Sequence, residues 1–159
     1  MKEPAHSILI ARHLDWMKVK ERLSRYRHIT ALFSLKDLKE CSDKEPFYCH
    51  YLAWRLGTWS SEGWFKFFDR LLEIGMSLPG WHESRIPGGC EFDNFWSFMW
   101  ELQTVAFFVN QPDRKVEWMK SGPDFRTTAS SNKYLYVECT TCQGSRHREA
   151  LLHFDKANL

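Results

Sequence analysis

The chain has 159 residues and is 43% hydrophobic, enough for one domain with a real core, which excludes a disordered chain. Its 22 Lys and Arg against 20 Asp and Glu give a formal charge of +2. That excludes a globally basic nucleic-acid coater and a polyanionic tail protein, though not a local basic patch. Aromatic residues make up 16%, with eight Trp, so a small domain can be densely packed. Five scattered Cys and an N-terminus (MKEPAHSILIARHLDW) without a long apolar run argue against a disulfide scaffold and for a reducing, cytoplasmic interior. The most apolar stretch, 92–109, contains Asp93, Asn94, Glu101 and Gln103, so it reads as a core helix and not as a membrane span.

Taken in chain order, residues 9–40 predict a helical stretch broken once. Trp16, Val19, Leu23, Tyr26, Ile29 and Phe33 form one apolar stripe. Arg12, Lys18, Lys20, Arg22, Arg25 and Arg27 fall largely outside it, as a solvated face or one that contacts phosphates. Residues 41–46 (CSDKEP) read as a linker, followed by a short aromatic helix from Phe47 to Leu56 that Gly57 can stop. Ser60 or Ser61 can cap a helix over 63–78, whose apolar side is Trp64, Phe67, Phe68, Leu71, Gly75 and Leu78. The Pro- and Gly-rich 79–90 is the strongest loop and the boundary between two regions, 1–80 and 91–159, of one compact unit. Trp81 in that loop is the best candidate among the tryptophans for a solvent-facing contact.

Residues 92–110 predict a helix apolar almost all round, buried on both sides between the two regions and ended by Pro112. Three short strands follow at 115–119, 124–128 and 133–141, with turns at SGPD and ASSN. In the third strand Leu135, Val137 and Cys139 face one way, and Tyr136, Glu138 and Thr140 the other. A helix is expected over 145–157. The expected fold class is α+β: an N-terminal helical region packed on a small mixed sheet of three or more strands with flanking helices, the three strands forming a meander.

Three carboxylates carry the chemistry. Glu101 interrupts an apolar helix, Asp124 opens a strand after Pro123, and Glu138 sits in an apolar strand. A carboxylate in such a place is expensive unless paired or bound to a cation. Each also has a structural reading: Asp124 as a turn residue, Glu138 paired with Arg126 across the hairpin, and Glu101 paired with a buried Arg or His from the helical region.

The stretches WELQTVAFFVN, SGPDFR and YLYVECTT together resemble the PD-(D/E)xK restriction-endonuclease-like superfamily over residues 91–157. The resemblance implies an αβββα nuclease core and a Mg²⁺-dependent nuclease hydrolysing phosphodiester bonds. It implies that Asp124 and Glu138 bind the metal, with Glu101 as the accessory acid of the helix. The family's lysine falls on Thr140. Gln143, Arg146, Arg126 and Lys133 are candidates to replace it, Gln143 only by orienting a water. A further family strand is missing before Leu159, so the core is shortened or the chain truncated there. The alternative is a catalytically inactive nuclease-fold module that binds a protein or nucleic-acid partner; a third reading is a small α-rich interaction protein whose resemblance is accidental. DNA or RNA would be met by the basic N-terminal helix face of Lys18, Arg22 and Arg25. Cys139 and Cys142 form a lone C-x-x-C, too little for a zinc site and lacking the flanks of a redox pair. No phosphate-cradling glycine loop is present, and no His is set beside a Ser or Cys as in a nucleophile site.

Overall fold

A computed structural model describes residues 14–44, 50–58, 61–86, 92–128 and 133–139. The first three helices are α1 (Trp16–Leu23), α2 (Arg27–Leu32) and α3 (Leu35–Lys44). The apolar stripe holds: Val19, Leu23, Tyr26, Ile29 and Phe33 are all buried. The stretch breaks twice, however, at Ser24–Tyr26 and again at Phe33–Ser34. Asp15 caps α1, its carboxylate accepting from the Met17 and Lys18 amides. The residue that precedes α2, Tyr26, has no capping side chain. The cap comes instead from 40 residues away, where Asp69 Oδ1 accepts from the His28 and Ile29 amides at 2.8 and 2.9 Å. The expected linker at 41–46 is helical through Lys44, and Cys41 within it is disulfide-bonded, which departs from the expectation of reduced cysteines. Spacing along the chain cannot show which side chains meet.

Helix α4 (Tyr51–Thr58) carries Gly57 inside it, not after it. A Cβ there would lie 2.5 Å from Leu14 Cδ2, so the residue serves close approach of α4 to the start of α1. Helix α5 (Glu62–Ser77) buries Phe65, Phe68, Leu71, Leu72 and Gly75. Phe67, expected on the apolar side, is 49% exposed, because the buried face is turned toward Phe65 and Leu72. The loop after α5 holds one 3-10 turn, Glu83–Arg85.

Helix α6 (Phe92–Val109) packs against α5 on one side and the sheet on the other. Phe95, Phe98, Met99, Leu102, Val105 and Ala106 are buried. It is not buried all round: Trp100 and Phe107 are half or more exposed. Apolarity alone does not say where neighbouring elements run out. The strands β1 (Val116–Trp118), β2 (Phe125–Thr128) and β3 (Tyr134–Val137) form a meander in the order β1-β2-β3, antiparallel throughout and not mixed. Phe125 and Thr127 point into the core, Arg126 and Thr128 away from it. One hydrophobic cluster runs from Leu14 through α6 to Phe125. Trp81 packs edge-on against Trp118 and near Phe98, so most of its area serves the core and not a solvent contact. No helix among the described residues is long and apolar enough to cross a membrane.

Candidate functional site

Glu101 lies in the third turn of α6, on the side that faces the sheet and the loop before the helix. Burial, helped by the nearby Asp124 charge and opposed by Arg85, raises its carboxyl to about 7. Arg85 Nη1 stands 3.6 Å from Glu101 Oε2, an ion pair mostly withdrawn from water.

Asp124 is held by its backbone and its side chain. Its carbonyl accepts from the Met119 amide at 3.0 Å, closing the β1–β2 connection, and from Arg85 Nη2 at 2.9 Å. Its Oδ2 accepts from the Cys139 amide at 2.6 Å, which ties the start of β2 to the residues after β3. Among the described residues nothing donates to Oδ1.

Arg85 joins these parts. Nη2 also donates to the Met119 carbonyl, and the guanidinium lies 4.5 Å over the Trp118 ring. A single side chain from the 3-10 turn thus clamps the Asp124 connection and supplies the counter-charge to Glu101. Sequence spacing gave no hint of this, since Arg85 is 39 positions from Asp124. Cys139 adds a free thiol next to Thr104 of α6. Burial pushes that thiol up, and the Asp124 and Glu101 charges add to the rise, so it stays protonated and poorly nucleophilic.

Glu138 is exposed. Phe125 pairs with Val137, so one further step in register sets Glu138 opposite Asp124. It does not pair with Arg126, whose Nε and Nη2 both donate to Glu117 Oε2 at 2.9 and 2.7 Å. The structure therefore brings Glu101 and Asp124 together with Arg85, and leaves Glu138 on the strand end beside them. Among the described residues no three His, Cys, Asp or Glu side chains form a metal-holding group. Thr140, Gln143 and Arg146, Cys142 of the C-x-x-C and the helix expected over 145–157 lie outside the described residues.

Two arginines of the basic face at the N-terminus are engaged within the protein, while Lys20 and Arg27 are exposed. Arg22 Nη1 donates to the Leu56 carbonyl at 2.9 Å. Arg25 pairs with Glu21 at 2.5 Å and with Glu62 at 3.4 Å. Arg22 ties α1 to α4, Arg25 ties the turn after α1 to α5, and Lys18 is half-buried. Comparison with protein-family models, with curated proteins and with solved structures found no match.

Proposed function

We propose that the chain is a magnesium-dependent, restriction-endonuclease-like protein that hydrolyses phosphodiester bonds in nucleic acid with slow turnover. The observation that carries this reading is that two carboxylates from separate elements, Glu101 of α6 and Asp124 just before β2, share Arg85 and lie near enough for the Asp124 charge to act on Glu101. Asp124 Oδ1 has no donor among the described residues, and the Glu101 contact with Arg85 is longer than a hydrogen bond. Mg²⁺ commonly takes one or two carboxylates and keeps several waters, so this donor set fits it. Asp124, with Glu138 opposite it in register, would hold the ion, and Glu101 would stand alongside. When bound, the ion supplies a water of lowered pKa and neutralises charge on the phosphate. The chain's own contribution is orientation. Arg85 and the Cys139 amide fix Asp124, and the Arg85 guanidinium supplies positive charge that a threonine in place of the family's lysine does not.

The same ion pair favours a second reading, a non-catalytic module of this fold, because Arg85 already balances Glu101 without a metal. Cleavage of labelled DNA and RNA separates the two. The nuclease reading expects slow cleavage that needs Mg²⁺ and is abolished by chelator and by Asp124→Asn. Thr140→Lys is expected to raise the rate by about 10²–10³, the usual worth of one preorganised electrostatic contact. Cleavage that survives both chelator and Asp124→Asn puts the chemistry elsewhere. No cleavage by the native chain, with activity gained by Thr140→Lys, favours the non-catalytic module.

A further inference from the structure

The sheet face that points away from the core carries a row of side chains that the acidic site does not use. Glu117, Arg126 and Tyr136 are successive partners in register across β1, β2 and β3. Glu117 holds the Arg126 guanidinium through two hydrogen bonds. The guanidinium lies 4.6 Å over the Tyr134 ring, and the Tyr136 hydroxyl adds to its hold. Tyr134 and Tyr136 are nevertheless 51% and 54% exposed. Leu135 between them is 45% exposed on the opposite face, and grouped exposed rings mark interaction sites more often than scattered ones do. Two residues along a strand span about 7 Å, a distance that successive bases of an extended strand can match.

This face runs into a cleft of about 420 Å³ lined by Trp81, His82, Glu117, Lys120 and Arg126. A neighbouring cleft shares His82 and Lys120 and reaches Arg85, the residue in contact with Glu101. The Glu117 charge is neutralised by Arg126, while Lys120 and Lys133, at opposite ends of the sheet, have no ion pair among the described residues. Ordered rings beside uncompensated positive charge match a polyanion with exposed π faces.

We infer that the outward face of the sheet binds single-stranded nucleic acid, with bases stacked on Tyr134 and Tyr136 and the backbone led along Lys120 and His82 toward Arg85. The inference deepens the nuclease reading by naming its substrate class, and rests on that reading for the phosphodiester backbone. Stacking on an open ring needs an unpaired base, which selects a single strand over a duplex.

The test is fluorescence anisotropy with the full chain in EDTA, using a labelled oligothymidylate, an oligouridylate and a duplex of equal length. Omitting metal separates binding from cleavage, so a failure of the acidic site leaves this measurement intact. The expected result is tighter binding of the single strands than of the duplex. Tyr134→Ala with Tyr136→Ala should weaken it about 10- to 100-fold, the usual worth of stacking one to two bases. Tyr134→Phe with Tyr136→Phe should keep native affinity, because the rings remain even though the hydroxyl contact with Arg126 goes. Lys120→Glu should weaken binding and flatten its salt dependence. The two surface variants that retain both rings guard against misreading an unfolded double-alanine protein. No binding of single strands, preference for the duplex, or native affinity in the folded double-alanine variant would overturn the inference.

Discussion

The imidazole of His50 packs among Phe33 and Phe95, 5.7 and 6.0 Å between centroids, and its Nδ1 accepts from the Leu52 amide. Burial lowers its pKa from 6.5 to about 4. The unfolded chain therefore binds more protons than the folded one between those two values, and stability falls as pH falls through that window. The contribution is complete above about 6.5 and lost as pH drops toward 4. Between those limits the loss is of order 2–3 kcal/mol. Urea midpoints compared at neutral and mildly acidic pH should show it, and His50→Phe should flatten the slope if the fold accepts the larger ring. An unchanged slope in a folded His50→Phe variant would assign the acid sensitivity to other groups. Glu101 shows where residue-level reading of the sequence worked. A carboxylate amid Phe, Trp, Met and Val had to have a partner, and a buried Arg or His of the helical region was one of the readings open to it; the arginine comes instead from the loop after that region. Which arginine was illegible, because Arg85 sits in a loop whose Pro and Gly content says only that the chain turns.

At the scale of elements, the clearest dependence is that of α2 on α5. A six-residue helix is too short to hold itself in water. Its first amides are satisfied by Asp69, which also lies 3.1 Å from His28 Nδ1. Asp69→Ala removes the cap and leaves partly buried donors unmet, so it is expected to cost about 1–2 kcal/mol. Chemical denaturation measures this, and Asp69→Asn should recover part of the loss. The strands and the long helices were legible because alternation and a 3.6-residue period both follow from which side is buried. The capping of α2 was not, since nothing local distinguishes Asp69 from the other charges of α5. The loop at 79–86 was read correctly as a loop and missed as a packing element. The Trp118 amide donates to the Pro79 carbonyl at 2.9 Å, and a Cβ at Gly80, where φ is +78°, would lie 2.2 Å from the Trp118 carbonyl oxygen. Only glycine allows that approach.

At the scale of the whole molecule, α6 stands between the helical region and the sheet, as its apolar character required. Its exposed Trp100 and Phe107 show the limit of that argument: composition counts apolar residues but does not draw the edges of what covers them. The same limit governs the site. The order of helix, hairpin and strand brought Glu101 and Asp124 into one place, whereas the arginine clamp that organises them depends on a long-range contact. The nuclease reading stands on a divalent cation held at Asp124. Isothermal titration of the full chain with Mn²⁺, above the pH of about 7 at which Glu101 ionises, measures this directly. The expected result is a saturable site that weakens as pH falls and Glu101 is protonated, and that is lost in Asp124→Asn. Absence of binding in the native chain, or binding that Asp124→Asn leaves unchanged, would contradict it.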